Sequence, residues 1–236
     1  MTLSIVGLGP GGPEHRTAAA ERAIREADVV IGYAPYIDQC ADLLDGGQEI
    51  VRGRMGEETA RAAEAVARAR EGARVALVSS GDAGVHGMAA RTLAHSEDLE
   101  VLVVPGVTAA LAVAARVGAP LADDWATLSL SDLHTPWATV ERRITALAVS
   151  GIALALYNPR SRTRTEPFER ALTILRASRA VDTPAIVATD VARPDEHLLT
   201  TTLGDLEPET VTMRSLVLIA GETAQWTSSH LIARRG

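Results

Sequence analysis

Three glycine-rich segments and three polar loops hold the groups in this chain best suited to chemistry. Gly7-Leu8-Gly9-Pro10-Gly11-Gly12 follows a short apolar run and fits G-x-G-x-x-G, with Asp28 at about the distance of a ribose-binding acid. Taken literally, that pattern specifies a dinucleotide. Pro10 and Pro13 stiffen the turn and remove amide donors that a pyrophosphate would want, and Asp28 precedes its strand instead of ending it. A plain tight turn therefore stays open beside the ligand reading. Ser79-Ser80-Gly81-Asp82-Ala83-Gly84-Val85-His86-Gly87-Met88 lies at the end of a second apolar run, where open α/β sheets place ligands. Asp82 there either accepts hydrogen bonds from a ribose or amine, or caps a helix opening at Gly87. Val104-Pro105-Gly106-Val107-Thr108-Ala109 repeats the theme, with Thr108 as a ligand contact or a first-turn residue.

Tyr157-Asn158-Pro159-Arg160-Ser161-Arg162-Thr163-Arg164 places three arginines at alternate positions, and guanidinium forks bind carboxylates bidentately. A loop that scatters them into solvent is the competing reading. Tyr33-Ala34-Pro35-Tyr36-Ile37-Asp38 gathers two of only three tyrosines, and Ser129 to Trp137 adds Ser131, Asp132, His134 and an indole. With 3% aromatic residues in the chain, this clustering in loops suggests a flat ligand. A lone His86 or His134 is more often structural than catalytic.

Composition removes several alternatives. All 23 basic residues are Arg, so there is no lysine for a Schiff base, a phosphate loop or a general base. Cys40 is the single cysteine and the six histidines lack H-E-x-x-H spacing, so a metal-free protein is expected. The net charge of −7, with no basic run, argues against nucleic acid as a partner. Val101 to Ala115 is the longest uncharged apolar stretch; Pro105 and Gly106 interrupt it, and Met1 to Val6 has no basic leader. No membrane association and a cytoplasmic location are the expectation.

The elements that must position these loops alternate. Leu3–Val6, Val29–Ile31, Glu49–Val51, Val75–Ser79 and Val101–Val104 read as strands, with helical spacing over 14–27, 35–44, 57–70 and 87–95. Strand and helix in series predict a parallel α/β sheet. A helix over 107–117 ends at Gly118-Ala119-Pro120, and the polar run after it suggests a domain boundary, giving 1–119 and 120–236. The second half restarts with strands at 126–130, 152–157, 185–189, 198–203 and 215–220. The last three have no long helix between them, so this sheet is predicted to be mixed and antiparallel near its end.

Gly7-x-Gly-Pro-Gly11, Gly81-Asp82-x-Gly84-Val85-x-Gly87-Met88, Pro105-Gly106-Val107-Thr108 and Thr200-Thr-Thr-Leu-Gly-Asp-Leu206, in this order, resemble the tetrapyrrole methylase family over essentially the whole chain. The resemblance implies two α/β domains that bind S-adenosylmethionine in a cleft between them, a homodimer, no metal, and methyl transfer to a carbon of a small-molecule tetrapyrrole. By it, Gly9, Pro10, Gly81, Asp82, Ala83, Val85, Thr108, Ala109, Asn158 and Val191 line the cofactor. Tyr33, Tyr36, Ser131, Arg160, Arg162 and Arg164 fall to the substrate, and Asp38, His86, Asp132 and His134 are unranked candidates for a general base. The family usually has an aromatic at the position of His86 and often Pro at that of Ala83. Other readings are a dinucleotide-binding oxidoreductase, a tetrapyrrole carrier that binds no S-adenosylmethionine, and a methylase acting elsewhere on the ring, on a cobalt-bearing ring or on ribosomal RNA.

Overall fold

Five apolar runs rich in Val, Ile and Leu form the first sheet because both of its faces are covered. Strands β1 (Thr2–Gly7), β2 (Val29–Tyr33), β3 (Glu49–Gly53), β4 (Val75–Ser79) and β5 (Glu100–Val104) are all parallel, in the order β3-β2-β4-β1-β5. Ile5, Ile31 and Leu77 pack on one face against Ala62, Ala65 and Val66 of α3 (Glu58–Arg70). Val30, Ala76 and Val78 pack on the other, against Ala20 and Ile24 of α1 (Ala18–Arg25) and Ile37 of α2 (Ala34–Gln39). Strands buried on both faces read as continuous apolar runs, as these do. A short α4 (Ala89–Leu93) follows β4. Because the strands are parallel, their carboxyl ends share one edge of the sheet, and all three glycine segments lie there.

The computed structural model describes residues 2–133 and 135–234. Within it the chain divides into two compact units that meet in sequence at Ala109 and Ala110, where the sequence suggests 119 and 120. Helix α5 (Ala109–Val117) goes with the second unit, because Gly118, at φ +129°, turns it directly into β6 (Gly118–Ala119), which pairs with the late strand β13 (Leu231–Ala233).

The second unit continues with β7 (Trp125–Ser129), α6 (Trp137–Ala148), β8 (Ala153–Tyr157), α7 (Glu166–Ser178), β9 (Pro184–Thr189), β10 (His197–Thr202), β11 (Ser215–Ile219) and β12 (Ala224–Trp226). Its main sheet has the order β10-β9-β11-β8-β7. Only β7 and β8 are neighbours in parallel; the other three pairings are antiparallel, and the short connection from β9 to β10 leaves no room for a parallel crossover. Two antiparallel steps return β9 to the direction of β8, so the loops after β7, β8 and β9 leave from one edge. Val140 and Ile144 of α6 and Phe168, Leu172 and Leu175 of α7 fill the core against Leu154, Leu156, Val187 and Val217. Strands β12, β13 and β6 form a small separate sheet. No helix among the described residues is long and apolar enough to cross a membrane.

Candidate functional site

At the carboxyl edge of the first sheet, the loops after β1, β4 and β5 are joined backbone to backbone. Gly9 and Gly81 form an antiparallel bridge, with N–H···O distances of 3.0 and 2.7 Å. A Cβ on Gly7 would lie 2.8 Å from both the Gly106 nitrogen and the Gly81 carbonyl oxygen, so glycine is needed for the three loops to meet. Asp82 ties the knot. Its Oδ1 accepts from the Gly84 and Val85 amides at 2.8 and 3.1 Å, and its Oδ2 from the Gly106 amide at 2.9 Å. Helix α4 opens only at Ala89, behind Met88, so Asp82 caps a turn and the neighbouring loop, not that helix.

The first unit thus brings Gly9, Pro10, Gly81, Asp82, Ala83, Val85, Thr108 and Ala109 together at one end of one sheet. They are not equally available. Gly81, Asp82, Val85 and Ala109 are half-buried, and Gly9, Pro10 and Thr108 are buried. Ala83 has no exposed surface: its methyl packs in the core with Met88 and Ala89. Sequence reasoning missed Gln39, whose Nε2 donates to the Gly9 and Gly11 carbonyls at 2.9 and 2.8 Å and clamps the first glycine loop from α2. Nothing in the local pattern signals that role, because the acceptors lie 28 and 30 residues away.

Next along the same edge, Tyr33 and Tyr36 meet edge to face at 5.2 Å, and the Arg61 guanidinium carbon lies 6.0 Å from the Tyr33 ring centre. Asp38 is exposed, and its carboxylate is held by Arg52 at 2.7 Å. His86 adopts a left-handed φ of 55°; the residue is exposed overall, yet desolvation by the chain around its ring lowers the imidazole below the ordinary histidine value.

In the second unit, the Leu130 amide donates to the Tyr157 carbonyl at 2.9 Å, and Asn158 Nδ2 donates to Ser129 Oγ at 3.0 Å. Arg164 clasps the same pair of loops, donating to the Leu130 and Asn158 carbonyls at 3.1 and 2.8 Å, with the exposed Asp132 carboxylate 3.9 Å from its Nε. Arg160 donates to the Pro208 carbonyl at 2.9 Å. Of the three alternating arginines, only Arg162 is exposed; the other two are half-buried and brace backbone carbonyls. Ser131 is half-buried beside them. Val191 is buried in the loop after β9, between left-handed Asp190 and Ala192 at φ 51° and 61°. Glu196 secures that loop, accepting from the Ala192 amide at 2.6 Å while Arg116 grips both of its oxygens. His134 lies outside the described residues.

Among the described residues, every non-glycine residue with positive φ sits at a carboxyl strand edge: His86, Asn158, Asp190 and Ala192. Such conformations cost about 1–3 kcal/mol each and gather at functional sites. Asp28 lies at the other edge, where it takes the Arg74 amide at 2.9 Å and the Arg74 side chain. It cannot serve a ligand on the glycine loops, and the dinucleotide reading loses its ribose acid.

A parallel α/β unit with close-packed glycine loops at its carboxyl edge, followed by a mixed-sheet unit with strained loops, defines a two-unit α/β class whose loops lie where open α/β sheets place ligands. A family model for tetrapyrrole (corrin/porphyrin) methylases matches residues 2–207, and the chain belongs to that family. It is 39% identical over 238 residues to a probable cobalt-factor III C(17)-methyltransferase of Salmonella typhimurium, covering 99% of this chain and 98% of that one. It is 38% identical to a precorrin-3B C(17)-methyltransferase of a Sinorhizobium species, over 92% of this chain and 88% of the relative. The crystal structure of the methyltransferase CobJ matches with a TM-score of 0.93 at 34% identity, covering 98% of both chains. Some other relatives are longer, and the chain spans 45% or 46% of their length.

Proposed function

We propose that this chain is an S-adenosylmethionine-dependent C-methyltransferase that methylates precorrin-3B at C17 and contracts its ring to give precorrin-4, in the synthesis of the corrin ring of cobalamin. The observation that carries this reading is the near full-length similarity to chains named as C17-methyltransferases, on a fold whose strained and glycine-rich loops gather at carboxyl strand edges. The name of the Salmonella relative favours a second substrate, the cobalt-bearing counterpart, for the same chemistry.

The residues present fit the methyl donor. A Cβ built on Gly81 would find only the Ala109 nitrogen, 4.0 Å away, so the backbone there borders open space that a ligand can enter. The groups around it are amides, carbonyls and the half-buried Val85, a donor set suited to a nucleoside and an amino-acid moiety. When bound, S-adenosylmethionine supplies an electrophilic methyl group on a sulfonium. Gln39 and Asp82 hold the loops on which it would rest, so acceleration comes from positioning. No protein nucleophile is required. Tyr33 and Tyr36 present ring edges and faces to a planar substrate.

Ring contraction needs a base for the proton of a ring hydroxyl. We assign it to His86, held in a left-handed conformation on the glycine loop after β4, where desolvation lowers its pKa and leaves a neutral imidazole to accept the proton at neutral pH. Asp38 is committed to Arg52. We place the reaction in the cytoplasm and expect a homodimer, which light scattering reads directly.

The test is incubation with precorrin-3B or cobalt-factor III and S-adenosylmethionine carrying a labelled methyl group, followed by location of the label. The label at C17 of a contracted ring is the expected result. A label at another ring carbon, or no transfer to either tetrapyrrole, overturns the proposal.

A further inference from the structure

Deepening that reading, and resting on it, we infer that Arg54, on the turn after β3, is a specificity-determining residue that binds a peripheral carboxylate of the anionic tetrapyrrole. A chain of net charge −7 repels a polycarboxylate unless a local cation offsets the field. Most arginines near the carboxyl edges are already occupied. The Arg16 side chain is 1% exposed and paired with Asp42, Arg52 holds Asp38, and Arg61 is buried against the Arg54 carbonyl. Arg160 and Arg164 brace carbonyls. Arg54 is exposed and makes no side-chain hydrogen bond or ion pair among the described residues.

Its position is as informative as its freedom. The sheet order β3-β2-β4-β1-β5 sets out, along one edge, first the turn bearing Arg54, then the tyrosines after β2, then the glycine loops after β4, β1 and β5. Two strand spacings, about 10 Å, separate β3 from β4. The edge therefore grades from a cationic rim through aromatic rings to a backbone cradle, matching a methyl donor on the glycine loops, a flat macrocycle on the tyrosines and its acidic side chains on the rim.

The turn is also held in place. Arg61 donates to the Arg54 carbonyl at 2.5 Å, and Glu57 accepts from the Arg54 amide at 2.6 Å. A Cβ on Gly53 would lie 2.6 Å from Arg61 Cδ, so glycine lets the Arg61 stem cross the strand end. The same Arg61 guanidinium lies over the Tyr33 ring and links turn to aromatic pair. Glu57 and Glu58 are the acids beside the turn, and exposed Met55 is its apolar neighbour.

The experiment compares the parent with Arg54→Ala, Arg54→Glu and Arg54→Lys, with Arg162→Ala alongside. Steady-state methylation is measured on the tetrapyrrole that the parent accepts, S-adenosylhomocysteine affinity by calorimetry, and binding of uroporphyrin III, a stable polycarboxylate, by fluorescence quenching. Arg54→Ala should raise the tetrapyrrole KM about 10-fold with little change in kcat. Arg54→Glu should raise it further, Arg54→Lys should recover part of the loss, and cofactor affinity should stay at the parent value. A tetrapyrrole KM and uroporphyrin affinity unchanged in both Arg54→Ala and Arg54→Glu overturn the inference, most clearly if Arg162→Ala alone weakens them. A parent that binds uroporphyrin III through Arg54 yet methylates neither substrate overturns the proposed reaction and supports the subsite. A parent that binds no polycarboxylate overturns both.

Discussion

Asp82 and Gly106, 24 residues apart, join two loops through one hydrogen bond: the Gly106 amide donates to Asp82 Oδ2 at 2.9 Å. The other carboxylate oxygen accepts two amides of its own turn, so the side chain holds the loops after β4 and β5 together. Asn caps a turn nearly as well as Asp, and from sequence alone Asp82→Asn is expected to spare stability. The structure reverses that expectation. Asn can keep one oxygen on Gly84 and Val85 but turns an NH2 toward the Gly106 N–H, leaving two donors face to face. A donor left unsatisfied costs about 1–3 kcal/mol. At roughly 2–4 °C per kcal/mol in a chain of this size, Asp82→Asn should melt several degrees below the parent and bind S-adenosylhomocysteine more weakly. An unchanged melting temperature in calorimetry would show that the Gly106 bond contributes nothing.

Arg164 should behave as a brace. Removing it strips the Leu130 and Asn158 carbonyls of a charged donor, and the side chain is only 15% exposed. Arg164→Ala is expected to cost about 1–3 kcal/mol of stability, and lysine, which cannot span both carbonyls with a fork, should restore only part. Chemical denaturation curves for the three proteins check this. Equal midpoints for parent and Ala variant would return Arg164 to the list of free substrate-binding groups.

Cys40 should be inert in the folded protein. The residue has no exposed surface, and burial pushes its thiol up to about 11, against a smaller opposing pull from Arg16. At pH 8 almost none is thiolate, the reactive form. Ellman's reagent should therefore report no thiol in native protein and a full equivalent in guanidinium. Rapid labelling of the native chain would mean that α2 opens readily.

His86 gives the pH dependence its sign. Desolvation lowers its pKa in the folded state, so the neutral base persists above that lowered value and is lost as pH falls through it. The acidic limb of kcat should lie below the ordinary histidine range, and His86→Gln should abolish that limb. The unfolded chain binds the proton more readily, so this group also makes stability fall as pH drops from the ordinary value toward the lowered one. A kcat profile identical in parent and His86→Gln would remove His86 from the chemistry.

The strands of both main sheets are legible in the sequence because each is an apolar run ended by Gly, Pro or a polar turn, and the antiparallel end of the second sheet follows from its short connections. Element starts are less so. The helix read from 14 opens at Ala18, since Thr17 accepts the Ala20 amide at 3.1 Å and residues 13–15 form a separate 3-10 turn. Strands β6 and β12, of two and three residues, are too short for any periodicity. Within the site, glycine loops announce themselves, because close backbone approach demands that residue type. The employment of Arg160 and Arg164 does not, for the Pro208 and Leu130 carbonyls lie 48 and 34 residues away, and a backbone carbonyl, even that of nearby Asn158, carries no side-chain signature.

The pairing of β6 with β13 imposes an order on synthesis. Residues 2–109 contain every strand of the first sheet, so that sheet can close while the rest of the chain is still being made. Gly118 and Ala119, by contrast, find their partners only in Leu231 and Ile232, more than a hundred residues later. The small β12-β13-β6 sheet therefore closes only after every strand of the two main sheets has been made. A premature stop near residue 220 would thus leave the strands of both main sheets present but Gly118 and Ala119 without their parallel partner, so that the turn after α5 loses its anchor.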